Sequence, residues 1–157
     1  MKKRFGNILT FVICLLIVYG TAAIGGLFTS ASVNSEWYNS IKPAITPPGW
    51  VFPIVWNILF FLIGVSLFLA WISAKNTRTK KKVALVFGAN LILNIIWSVF
   101  YFGMQNPFLA FFDIIFLIIS IAWMINVSYK IKKSSGWLLL PYLIWVCFAS
   151  ILNLMSI

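Results

Sequence analysis

Two carboxylates, Glu36 and Asp113, stand against twelve lysines and arginines, and the chain contains no histidine. That inventory removes whole reaction classes. A Ser-His-Asp or Cys-His nucleophile has no base, a paired-carboxylate hydrolase would need these two acids brought together, and no cluster of metal-ligating side chains remains. Cys14 and Cys147 fall inside apolar stretches, where a thiol packs as a small hydrophobe, so they give neither a disulfide framework nor a compartment signal. What the chain does carry is tryptophan, tyrosine and asparagine at helical spacing. Asn90, Asn94, Trp97 and Tyr101 recur at i, i+4, i+7 and i+11, and Tyr142, Trp145, Ala149 and Asn153 at i, i+3, i+7 and i+11. Trp56, Asn57, Phe60 and Gly64 form a third stripe. The chemistry open to such stripes is noncovalent: amide hydrogen bonds between helices, or aromatic walls for a flat apolar cavity.

The elements that position these stripes follow from composition. The chain is 62% hydrophobic and 9% charged, with mean hydropathy +1.03, whereas a soluble domain is about one-quarter charged. Lipid is therefore its solvent. Spanning hydrocarbon takes about 20 apolar residues, and runs near 8–28, 50–74, 83–102, 108–129 and 137–157 qualify. The expected architecture is all-α, a single membrane domain over 1–157 in which five helices form a bundle.

The basic residues orient it. Lys2, Lys3 and Arg4 precede the first run; Lys75, Arg78, Lys80, Lys81 and Lys82 follow the second; Lys130, Lys132 and Lys133 follow the fourth. Lys42 alone occupies the first gap, and the third gap, around Gly103 to Pro107, has none. The positive-inside rule places the N-terminus in the cytoplasm and the C-terminus outside. The net charge of +10 is confined to short loops, where it meets anionic lipid, so no nucleic-acid partner is expected. The basic start, the run Ile8 to Tyr19 and the small residues Gly20 to Ala23 also resemble a secretory signal. Apolar residues continue through Phe28, which favours a span.

The external loop 29–49 is expected to be structured, with Lys42 to Pro48 stiffened by its prolines into non-helical backbone and with Trp37 and Tyr38 at the headgroup level. Pro53 is tolerated near the first turn of the second span. Asp113 lies about five residues into the fourth span, roughly 8 Å below its start. An intramembrane acid marks a functional candidate, and the competing reading is a protonated or hydrogen-bonded carboxyl that ties helices together.

An ordered set of residues resembles a known family. Trp37-Tyr38, Lys42-Pro43, Pro47-Pro48 followed by Trp56, Leu93-Asn94 with Trp97, Asp113, Pro141-Tyr142-Leu143 with Trp145, and Leu152-Asn153 are similar to the translocator protein family, also called tryptophan-rich sensory protein, TspO/MBR or the peripheral benzodiazepine receptor. The resemblance implies a compact five-helix bundle, commonly a homodimer. It implies no required cofactor, and as ligands tetrapyrroles such as protoporphyrin IX or haem, held between the helices beneath the first loop. By motif position it assigns Trp56 and Trp145 as pocket tryptophans, Asn94 as a pocket-lining amide, Ala149 as a small residue beside the ligand, and Phe52, Pro53 and Val55 as the pocket-facing first turn of the second helix. Trp97 and Tyr142 lie on the same stripes. Lys42, in the loop above that pocket, could meet a propionate of the ligand or snorkel to lipid phosphate. Ile45 stands where the family usually has tryptophan, and Leu109 where some members place one. The Tyr-plus-basic element of eukaryotic members is not matched by Met155-Ser156-Ile157, so sterol transport is not expected. A bacterial cytoplasmic membrane is the expected location.

The leading functional expectation is thus a membrane receptor for flat hydrophobic ligands, with porphyrin sensing, transport or light-dependent breakdown downstream; no acid-base enzyme is expected. The alternatives are an ion or solute conductor, which needs a charged or carbonyl-lined path, and a structural assembly partner, which would use small-residue faces such as Gly20, Ile24, Gly25 and Gly26.

Overall fold

A computed structural model describes residues 2–157, with side chains from residue 6 onward, so the side chains of Lys2, Lys3 and Arg4 lie outside the described residues. Every described element is helical: α1 Lys2–Ser32, α2 Glu36–Ile41, α3 Val51–Ser73, α4 Thr77–Ser98 continued by a π-turn Val99–Gly103, α5 Pro107–Ile131, α6 Lys133–Trp137 and α7 Leu140–Leu154. Five stretches, Gly6–Ser32, Val51–Ser73, Thr77–Gly103, Pro107–Ile131 and Lys133–Leu154, are long and apolar enough to cross a membrane, with mean hydropathy from 1.9 to 2.6. Helices suit that solvent because each satisfies its own backbone polar groups where no water is available. The protein is an integral membrane helix bundle.

The boundaries differ from the sequence expectation in four places, each for a local reason. The third span starts at Thr77 rather than near residue 83, because the Asn76 side chain accepts from the Thr79 backbone N–H at 2.8 Å and caps the helix. Arg78 to Lys82 therefore form its first turns and not a loop. The fifth span is broken: α6 ends at Trp137, and Pro141 sits in the first turn of α7, where it cannot extend a helix backwards. Within 29–49 the last turn of α1 continues to Ser32, and α2 forms behind Ser35, whose hydroxyl accepts from the Tyr38 N–H at 3.2 Å. Lys42 to Pro48 is non-helical. Trp37 and Tyr38 are half-buried, and α2 sets them against the rings of Tyr101 and Phe102.

Adjacent helices run antiparallel. α1 packs on α3 and α4, α4 on α5, and α5 on α6 and α7, whereas α7 meets α3 only slightly. α1 packs into this arrangement: Cys14 and Val18 are buried in the core, and the Tyr19 hydroxyl donates to the Asn57 carbonyl at 3.1 Å. The end of the bundle carrying Lys75, Arg78, Lys80 to Lys82 and Lys130 to Lys133 is the basic end; the opposite end carries α2 and the first loop.

The basic half is filled. Ile63, Ala70, Val83, Val86, Ile121 and Met124 have no exposed surface. Ser66 and Ser135 lock α3 to α6, each hydroxyl lying within 2.8 Å of the other's carbonyl oxygen. Gly64 leaves the space that Leu15 occupies, since a Cβ there would lie 2.6 Å from a Leu15 methyl. The loop half is built differently.

Candidate ligand-binding cavity

The α4 stripe sets the inner frame. Asn94 donates to the Tyr142 hydroxyl at 3.2 Å, Tyr142 donates to the Asn90 side-chain oxygen at 3.3 Å, and the Asn90 amide donates to Ser120 at 2.8 Å. Ser120 in turn donates to the Leu117 carbonyl at 2.7 Å. One chain of bonds thus joins α4, α7 and α5 where a bare amide would be costly. One turn higher, the Trp97 indole donates to Asn153 at 3.0 Å, and Asn153 donates to the Pro107 carbonyl at 2.8 Å. At the top, the Tyr101 hydroxyl donates to Ser156 at 2.9 Å. The polar stripes therefore face inward and bond helix to helix.

On this frame two aromatic groups stand apart. In the first, Trp56 stacks on Phe60 at 5.2 Å and 27° and meets Tyr142 edge-on at 6.2 Å, while Phe52 meets Trp145 edge-on at 5.8 Å. In the second, Trp97 stacks on Tyr101 at 5.1 Å and 21°, and Tyr101 meets Phe102 at 4.8 Å. The π-turn makes the second group possible: its extra residue per turn brings consecutive Tyr101 and Phe102 both to the buried side. Rings of both groups, with residues of α1 and α5, surround an open space between the helices. The space they enclose is a cavity of about 520 Å³ lined by residues from five long helices, α2 and the first loop. That size lies within the usual range of small-molecule sites, about 300–1,000 Å³.

Of the residues singled out in the sequence, Phe52, Pro53, Trp56, Asn94, Trp97, Trp145 and Ala149 line this cavity. Three do not. Tyr142 is buried behind Trp56 and Asn94 and supports the wall through the bonds just described. Val55, one residue and so about 100° of helix from Trp56, lines a shallower apolar groove of about 480 Å³ on the outer face of the α3–α7 seam, with Ile58, Ile144 and Phe148. Trp145 belongs to both spaces and is the partition between them. Lys42 is exposed and donates to the Asn39 side chain at 2.7 Å.

The sequence reading missed the contribution of α1. Ala22, Gly26 and Thr29, with Val33 just past the helix end, line the cavity at i, i+4, i+7 and i+11, the same period as the α4 stripe. Tyr38, Pro43 and Thr46 close it from the loop end. Asp113 is buried on α5 but does not line the cavity, and its Oδ2 has no hydrogen-bond partner among the described residues. The expected tie to a Tyr or Trp donor is therefore not formed by that oxygen. Its neighbours Ile114 and Leu117 do reach the cavity floor.

Residues 11–156 match the TspO/MBR family. The chain is 42% identical to the tryptophan-rich protein TspO of Archaeoglobus fulgidus over 148 residues, covering 94% of each chain. It is 30% identical to the tryptophan-rich sensory protein of Cereibacter sphaeroides, covering 84% of this chain and 83% of that one, and 27% identical to the translocator protein of Sus scrofa, covering 83% and 80%. With the match running through all five membrane-crossing stretches, the chain belongs to the TspO/MBR family.

Proposed function

We propose that this protein is a membrane receptor for flat hydrophobic ligands, with tetrapyrroles such as protoporphyrin IX or haem the leading class, and that the ligand lies in the loop-half cavity. The observation that carries this reading is the pair of separated aromatic walls, Phe52, Trp56 and Trp145 on one side and Trp97 and Tyr101 on the other, all facing one space of about 520 Å³. A planar ring system entering there removes apolar area from water or lipid headgroups and gains ring–ring contact on both faces. The wall is pre-formed, because its polar members are already bonded to one another, so little ordering is required on binding.

The same reading sets the basic end at the cytoplasmic face of a bacterial membrane and the first loop outside. Eight basic residues of the described side chains gather at one end and only Lys42 at the other. Conduction is not favoured, because the cavity ends at Phe60, Asn94 and Leu117 and the basic half beneath it is packed.

The test is titration of the detergent-purified protein with protoporphyrin IX, followed by tryptophan quenching, in the parent and in Trp56→Phe and Trp145→Phe. Each substitution should weaken binding by about 0.5 to 1.5 kcal/mol, the worth of one aromatic contact. Unaltered quenching and affinity in both variants would reject the cavity as the binding site.

A further inference from the structure

On the reading just given, we infer that the planar ligand enters and leaves the cavity sideways, from the bilayer, through a slot between α1 and α3. Among the residues that line the cavity, those with exposed surface are Tyr19, Gly26 and Ser30 on α1 and Gly49, Pro53 and Asn57 on or just before α3. They recur at i, i+7 and i+11 on the first helix and at i, i+4 and i+8 on the second, so each set runs up one edge of a single opening. The lining residues of α4, α5 and α7 are buried or half-buried. Five of the six edge residues lie inside the membrane-crossing stretches Gly6–Ser32 and Val51–Ser73. The opening therefore faces acyl chains, over roughly 16 Å from the helical rise between Tyr19 and Ser30.

The slot exists because α1 changes partner part-way along. In its lower half it is sealed to α3: Phe11 meets Phe68 edge-on at 5.2 Å, and Leu15 fills the space left by Gly64. The Tyr19 hydroxyl, bonded to the Asn57 backbone carbonyl at 3.1 Å, closes the fork. Above it α1 follows α4 and the π-turn. Gly25 packs on Ser98, Phe28 on Gly103, and the Ser32 hydroxyl donates to the Phe102 carbonyl at 3.0 Å. A Cβ at Gly26, on the edge left without a neighbour, would meet nothing within 4 Å.

An opening onto hydrocarbon must leave no polar group unpaired along its edges, and these edges meet that condition. The Asn57 side chain donates to the Pro53 carbonyl at 2.8 Å, Thr29 to the Gly25 carbonyl at 3.2 Å and Ser30 to the Leu27 carbonyl at 3.2 Å. The slot also runs unbroken to the loop end at Ser30 and Gly49. A flat ligand with polar groups on one edge can thus slide in ring-first, with those groups held at the headgroup level and never drawn through hydrocarbon.

The experiment uses the full-length protein in lipid nanodiscs, with protoporphyrin IX binding and release followed by stopped-flow at the porphyrin absorption band. Asn57→Trp sets a ring across the lower slot, and the bond from Tyr19 survives because it uses the Asn57 backbone. Association and dissociation should both slow by at least about tenfold while Kd changes by less than about threefold, since the passage is narrowed and the bound state is not. Asn57→Ala clears the slot and should speed both rates. Leu16→Trp, exposed on α1 below the fork, should leave both as in the parent. Parental rates in both Asn57 variants, or slowing by Ser30→Trp alone, would put the entrance at the loop rim, overturning the inference and leaving the proposed receptor function standing. A parent that binds no porphyrin removes both.

Discussion

The two halves of this bundle are made from the same helices and solve packing in opposite ways. Towards the basic end, small residues let the helices close. Ser66 and Ser135 exchange hydrogen bonds, Gly64 admits Leu15, and Gly136 lies against the Tyr129 backbone, where a Cβ would meet Tyr129 Cα at 2.9 Å. Towards the loop end, rings on α3, α4 and α7 line an open space that Ala22 and Gly26 of α1 also face, while Gly25 packs on Ser98. A Cβ at Gly26 would meet nothing within 4 Å. Orphaned polar atoms follow the same division. Among the described residues, Thr46, Asp113 and Trp145 hold unpartnered buried atoms in the loop half, against Ser128 alone in the basic half. In lipid, where burial of apolar area between helices gives no advantage over contact with acyl chains, small residues and hydrogen bonds close an interface. A tryptophan-rich seam is then free to stay open.

That contrast can be broken most severely at Gly136. Gly136→Ala forces a methyl against backbone and should lower stability by about 3 kcal/mol, read as a fall in melting temperature in detergent. The partner experiment, Gly26→Leu, should leave melting nearly unchanged while weakening ligand binding roughly tenfold, because the new side chain fills the cavity. If both glycines behaved alike, the two halves would not differ as described. A smaller effect is expected at Ser66. Ser66→Ala leaves the Ser135 carbonyl without its donor in the packed half and should cost about 1 to 2 kcal/mol of stability with ligand affinity intact. The smallest is at the loop surface, where Lys42→Gln should change porphyrin affinity by less than about twofold, since an exposed lysine bonded to Asn39 contributes little. A large loss there would place the ammonium on the ligand.

Much of this was legible in the sequence, because a membrane chain makes polarity conspicuous. Asn90, Asn94 and Asn153 stand out in apolar runs, and their spacing with Trp97, Tyr101 and Trp145 marks the inward faces of α4 and α7. The same logic failed on α1. Its cavity face is Ala22, Gly26 and Thr29, and small residues at that period read equally well as a helix-packing seam. Val55 was placed inside with Trp56, although adjacent residues on a helix point about 100° apart. Trp37 and Tyr38 carry the composition of interfacial anchors, and nothing in the sequence shows that α2, a short capped helix, docks them on Tyr101 and Phe102 of the π-turn far along the chain. Burial in that lid pushes the Tyr38 phenol above its ordinary pKa and keeps it neutral. Long-range docking of this kind leaves no periodic signal.

The proposed function requires a planar ligand seated between the two aromatic walls of the loop half. An experimental structure of the protein with bound protoporphyrin should show the macrocycle between Trp97 on one side and Trp56 and Trp145 on the other. A macrocycle found on the lipid-facing surface, with the cavity between those rings empty, would contradict it.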